Sequence, residues 1–239
     1  HFIFDKNLMK IEKLLPNDLV VYSVGSFKDN SKIKRGRGKG GLSFIWHKSI
    51  DHITSRIMVK NNRIQCMKLD LPGCKMLVLN TYFPQDTQTD AFDEQDLLGC
   101  LSSIENILQN NIHDQAMLMG DLNADFSRDT RFVRTVRTFC QTHDLSAVWA
   151  LFPIDFSYSS PCNTHFSLVD HFMLTKGLTE NIITAGVIHR GDNVSGHSPV
   201  FLEMSTLSLP KKPEVKTHKV PNQNWKDAQT CNPHQGWSS

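Results

Sequence analysis

Short apolar runs, each about as long as a β-strand, recur through most of this chain, and only two stretches carry a helical period. That pattern rules out a helical bundle and points to a sheet protein with interspersed helices. Residues 17–23 (NDLVVYS), 42–47 (LSFIWH), 55–60 and 63–71 are rich in β-branched and aromatic side chains and read as strands. Asn61-Asn62, between the last two, predicts a tight hairpin turn. KMLVLNTY at 75–82 reads as a buried strand. Phe92, Leu97, Leu98, Leu101, Ile104, Ile107 and Leu108 then recur at three- and four-residue steps, which predicts an amphipathic helix over 90–110. A second helix fits 129–142, with Phe132, Val133, Val136, Phe139 and Cys140 on one stripe. Residues 116–120, 168–174, 182–189 and 198–204 read as further strands. The class is α/β, and the hairpin-like connections imply a mixed sheet.

A chain of 239 residues, 39% of them apolar, has the size of one domain that buries a core without covalent staples. Charged residues make up 21% against a net charge of +2, which is neither a disordered composition nor a histone-like one. No apolar run is long enough to form a membrane-spanning helix. The residues given open at His1 with no leader pattern, so no signal peptide is expected in them and the record is expected to start inside a longer protein. None of the six cysteines forms a C-x-x-C pair; they are expected to be reduced and mostly buried, in an intracellular protein, the nucleus included. Asn193-Val-Ser195 matches a glycosylation triplet and is read as coincidental. Residues 32–39 form a basic, glycine-rich loop, and four of the ten prolines fall beyond residue 206. The expected organisation is one domain over 1–205, then a linker or tail over 206–239.

Three groups of polar residues sit at predicted strand ends. In Gly120-Asp121-Leu122-Asn123, strand alternation places Asp121 and Asn123 on one side, where they are able to grip a hard cation or orient a water. The competing reading is a turn that hydrogen-bonds its own backbone. Asp170 stands inside an apolar strand and needs a partner; an imidazole suits it, and a structural ion pair or a solvent-facing strand explains it equally. His197 lies at a loop-to-strand boundary, where a histidine is either functional or simply structural. All three fall at the sheet ends where α/β proteins usually bind ligands.

GGLSFIWHK, LVLNTYFPQD, LMGDLNADF, FSYSSPCNTHFSLVDHFMLT and GDNVSGHSPV stand in an order and spacing that resemble the endonuclease/exonuclease/phosphatase superfamily. More narrowly, over about residues 8–204 the chain resembles the apurinic-endonuclease-like domain of non-long-terminal-repeat retrotransposons. The resemblance implies a DNase I-like four-layer sandwich, two mixed β-sheets flanked by helices, here truncated at the N-terminus. It implies hydrolysis of phosphate esters with Mg²⁺ or Mn²⁺. Asp121 then resembles the carboxylate that positions or deprotonates the attacking water, and Asn123 its neighbour; the two are the implied metal ligands. Tyr82 resembles a hydroxyl contacting the scissile phosphate, with Gln85 a weaker match nearby. Asp170 resembles the carboxylate that orients the catalytic imidazole, and His197 that imidazole.

The sequence departs from the family twice. The family's Ser-Asp-His is Ser195-Gly196-His197 here, and Asp192 lies too far upstream to replace the missing carboxylate. The family's metal-binding Glu precedes a segment like His1-Phe2-Ile3-Phe4, and Glu12 does not match it. With fewer carboxylates a hard cation is expected to bind weakly. The implied function is a DNA-nicking endonuclease that contacts the phosphate backbone, supplies a primer to a reverse transcriptase domain of the full-length parent, and is impaired. The competing functions are an inactive remnant that binds nucleic acid or protein, and a phosphatase acting on inositol phosphates or lipid head groups.

Overall fold

A computed structural model of the chain describes residues 14–25, 41–86, 91–191, 193 and 195–205. The basic loop 32–39, Asp192, Cys231 and the tail 206–239 lie outside the described residues. Chain order is β1 (Leu19–Val24), β2 (Leu42–His47), β3 (Thr54–Ile57), β4 (Ile64–Leu71), β5 (Cys74–Tyr82), α1 (Ala91–Asn110), β6 (Gln115–Asp121), α2 (Arg131–Thr142) and β7 (Leu145–Ala147). The two-residue strands β8 (Tyr158–Ser159) and β9 (Phe166–Ser167) follow, then β10 (Asp170–Thr175), the short α3 (Lys176–Thr179), β11 (Ile182–Val187) and β12 (Val200–Met204).

Six strands form the central sheet, in the order β3-β4-β5-β6-β10-β7. The β5–β6 pair is parallel and the crossover α1 joins it; the other pairs are antiparallel, so the sheet is mixed as expected. Side-chain alternation gives the sheet two buried faces. On one, Ile64, Leu77, Leu79 and Leu118 pack against Leu101 and Ile104 of α1 and Val136 and Phe139 of α2. On the other, Met67, Val78, Met117 and Leu174 meet Phe44 and Trp46 of β2 and Val200 and Leu202 of β12.

The second layer of strands consists, among the described residues, of the separate hairpins β1–β2 and β11–β12. Gln65, buried in β4, donates from Nε2 to the Tyr22 carbonyl oxygen at 2.6 Å, and Asn80 Nδ2 donates to the Ser43 carbonyl oxygen at 3.3 Å. Those two bonds tie the first hairpin to the central sheet. Helices, mixed sheet and facing strands are thus stacked as the sandwich class requires.

Both helices lie where periodicity predicts them. Thr130 caps α2: its Oγ1 accepts from Val133 N at 3.2 Å and donates to Asp86 at 2.6 Å. The predicted tight turn at Asn61-Asn62 is not formed. β3 ends at Ile57, paired with Cys66, and a wider loop follows. Asn61 Oδ1 accepts from Arg63 N at 3.0 Å while its Nδ2 donates to Ser103 Oγ on α1 at 3.3 Å, so the asparagine shapes the loop and docks it on the helix. The three short strands β7, β8 and β9 were too brief to leave a period in the sequence.

Phe139 is fully buried between α2 and the sheet. Truncation by Phe139→Ala is expected to cost about 3–5 kcal/mol, read as a lowered urea midpoint with an unchanged m-value.

Candidate active site

Strand register assembles the site. Tyr82 on β5 pairs with Asp121 on β6, and Asp121 pairs with Asp170 on β10. Three candidate side chains from distant parts of the sequence therefore lie side by side at one end of the central sheet. Gly120 makes this approach feasible: its φ is +121°, and a Cβ there would collide with the Thr81 carbonyl oxygen.

His197 arrives from the loop before β12, and the backbone around Tyr158 fixes it. Tyr158 and His197 form an antiparallel bridge. Ser159 N donates to the Gly196 carbonyl oxygen at 2.8 Å, and Ser198 N to that of Ser157 at 2.7 Å. Asn193, of the apparent glycosylation triplet, donates from Nδ2 to the His197 carbonyl oxygen at 2.7 Å. Ser157 is fully buried, and its Oγ accepts from the backbone N–H groups of Val169 at 3.1 Å and Asp170 at 3.0 Å. One serine thus holds the strand that carries Asp170 and the loop that carries His197.

The imidazole lies between two carboxylates. His197 Nδ1 stands 2.9 Å from Asp170 Oδ2, and Nε2 stands 3.9 Å from Asp121 Oδ2. The short contact assigns the Nδ1 proton to the Asp170 bond and turns Nε2 toward Asp121. That hydrogen bond raises the His197 pKa above 6.5 against the opposing effect of burial. Asp121 is pushed up from 3.8 to about 6, first by burial and then by the charge of Asp170. Burial also raises the Tyr82 hydroxyl, with Asp121 adding to the shift and Arg63, whose guanidinium lies 5.5 Å from the ring centroid, opposing it.

Asn123 does not continue the strand. β6 ends at Asp121, and Asn123 adopts a φ of +49°. Its backbone N–H donates to Asp121 Oδ1 at 2.9 Å and its Nδ2 to the Phe83 carbonyl oxygen at 2.8 Å. The self-bonded turn and the shared cleft are both present; alternation is not what joins the two residues. Asp121, Asp170 and His197 offer ligand atoms within 4.8 Å of one another, so Asp170 and His197 join Asp121 as candidate donors. All of the sequence-predicted residues, Tyr82, Gln85, Asp121, Asn123, Asp170 and His197, line one open cleft of about 670 Å³. Tyr158 and Arg128, which line the same cleft, and Ser157 behind it were not anticipated, since only tertiary pairing brings them to the site.

Gly196 is more than a missing carboxylate. A Cβ at 196 would stand 2.8 Å from the Ser159 carbonyl oxygen and 2.8 Å from the Tyr158 ring. That ring packs on His197, with centroids 4.9 Å apart. The phenol and the Ser159 carbonyl oxygen thus together close the space into which any side chain at 196 would project.

No protein-family model matches the sequence, and no curated protein matches it. Solved structures do. An AP endonuclease from Leishmania major matches with a TM-score of 0.62 at 13% identity, over 85% of this chain and 75% of that one. A 3′ phosphatase from Neisseria, bound to a product DNA hairpin, matches at 0.57 and 13%, over 85% and 96%. The fold is that of the endonuclease/exonuclease/phosphatase superfamily. The endonuclease domain of TRAS1, a telomere-specific non-LTR retrotransposon, is similar too, at 0.56 and 15% identity over 81% of each chain.

The His197 and Asp121 shifts have defined signs. A raised histidine stabilises the fold fully below 6.5, and that contribution is lost as pH rises through the folded-state value. A raised carboxylate favours the fold at low pH, an advantage lost as pH climbs from 3.8 through about 6. Asp170→Asn is expected to lower the titration midpoint of His197, followed by NMR of its ring protons; an unmoved midpoint contradicts the pairing.

Proposed function

We propose that this chain is a metal-dependent phosphodiesterase of the DNA-nicking kind found in non-LTR retrotransposons. The observation that carries the proposal is the Asp121–His197–Asp170 array, flanked by Tyr82, at the floor of an open cleft. The donor set suits a hard divalent cation: two carboxylates stand opposite each other with an imidazole beside them. Asp121 and Asp170 would hold that cation, with Asn123 nearby. When bound, it stabilises charge on the phosphate oxygens.

The chain's own residues divide the remaining work. Asp121, at the end of β6 and lining the cleft, would take a proton from the attacking water. His197, oriented by Asp170, presents Nε2 to negative charge developing on the phosphate. Tyr82 donates a hydrogen bond from its hydroxyl to a non-bridging oxygen. The water oxygen bonds to phosphorus and stays on the 5′-phosphate, while the bond to the 3′ oxygen breaks; that oxygen takes a proton from solvent water and leaves as a 3′-hydroxyl able to prime a reverse transcriptase domain of a longer parent. Gly196 withholds one carboxylate from the set, so turnover is expected to be slow. Such work belongs in the nucleus, and among the described residues no helix is long and apolar enough to cross a membrane.

Nicking of supercoiled plasmid in Mg²⁺ or Mn²⁺ tests the reading. Cleavage should vanish in EDTA and fall ~10²–10⁴-fold in His197→Ala. DNA retention with no turnover in either metal refutes the catalytic reading.

Supplying the absent carboxylate by Gly196→Asp alone is expected to displace Tyr158, lower stability and leave nicking no faster. Pairing it with Tyr158→Ala removes the ring but not the Ser159 carbonyl oxygen, so the double variant is expected to remain no faster. Faster nicking by the single substitution contradicts the packing argument.

A further inference from the structure

The cleft lining is acidic in a way that ill suits a polyanion. Among the described residues that line it are four carboxylates, Asp86, Asp121, Asp125 and Asp170, and only one arginine or lysine, Arg128. A cation at Asp121 and Asp170 offsets part of that charge at one point only. DNA lying across the cleft still needs a fixed positive charge elsewhere along its path.

Arg128 is built for that task. Its Nη2 donates to Ser167 Oγ at 2.8 Å, and its Nε lies 3.5 Å from Asp125 Oδ2. Asp125 is itself anchored, since its Oδ1 accepts from Ser127 N at 3.0 Å and from Ser127 Oγ at 2.6 Å. The two contacts fix the plane of the guanidinium and leave several of its five N–H groups without a described protein partner. The side chain remains 56% exposed, open to the cleft. A planar fork held on one edge and free on the other is the arrangement that takes a phosphate through two parallel hydrogen bonds.

Its distance from the reacting centre follows from register. Ser167 pairs with Tyr158, and Tyr158 bridges His197. Two such strand steps of about 5 Å put Ser167 roughly 10 Å from His197, too far for the phosphate at His197 and within reach of a neighbouring one. We propose that Arg128, held by Ser167 and Asp125, seats a backbone phosphate adjacent to the one presented to Asp121 and His197. The proposal rests on the phosphodiesterase reading and identifies the ligand as the sugar-phosphate backbone, with no preference for base sequence.

The test is fluorescence anisotropy of the whole chain with labelled duplex DNA in EDTA, at several salt concentrations. Arg128→Gln is expected to bind several-fold more weakly at low salt, equally for unrelated duplex sequences, and to reduce the salt slope by about 0.9. Arg128→Lys keeps the charge and is expected to keep the slope while losing affinity through the lost fork. Because the side chain is half exposed, both variants should melt as the parent chain does. An Arg128→Gln protein with the parent's affinity and slope overturns this proposal alone. A parent chain that binds no DNA at low salt, in EDTA or in Mg²⁺, overturns the phosphodiesterase reading together with it.

Discussion

The site depends on one register. Tyr82, Asp121 and Asp170 are neighbours because β5, β6 and β10 pair as they do, and a shift of one residue in either ladder would turn one of them to the opposite face of the sheet. Burial on both faces forbids that shift: Met117 and Leu118 on β6 belong to opposite cores, so sliding would exchange their environments. Position at the site is thus enforced by the packing of residues that have no chemical role.

Register alone leaves Asp121 and Asp170 directly opposite each other, an arrangement of like charges that costs stability. His197 relieves it from within the protein. Its bond to Asp170 places an ionisable cation between the two carboxylates. The imidazole is delivered by a loop, and loops are held less firmly than sheets, so the cluster around Ser157 matters. Its hydroxyl grips the start of β10 and its carbonyl oxygen grips Ser198. Removing that hydroxyl would leave two buried N–H groups without their partner while loosening both halves of the Asp170–His197 pair.

Much of the framework was legible in the sequence because the signals there are local. Apolar runs marked β2, β5 and β6 within a residue or so, and a three-to-four-residue period marked α1 and α2. The Asp in the apolar strand at 170 called for a partner on electrostatic grounds, and the imidazole it faces is the one resemblance named. What the sequence hid is what folding creates. Nothing local announces that Ser157 will bond the strand of Asp170, that Tyr158 will lie on His197, or that Arg128 will reach Ser167. Asn61-Asn62 misled for the same reason, since a contact with a distant helix determined the loop.

Gly196 shows how a departure from a family pattern acquires two meanings. Read as a motif, it is a lost ligand. Read in its surroundings, it is the position at which Tyr158 comes close enough to cover His197. The Tyr158 ring, tilted 56° to the imidazole, shields part of it from water, and that shielding strengthens the Asp170 bond by lowering the local dielectric. A carboxylate at 196 would bring negative charge to the same place and open it to solvent. The Tyr158 ring and the Ser159 carbonyl oxygen both press on the volume beside Gly196, so a third carboxylate there requires the backbone at 159 to shift as well as the ring. The closely packed version favours definition of the Asp170–His197 pair over room for a further carboxylate.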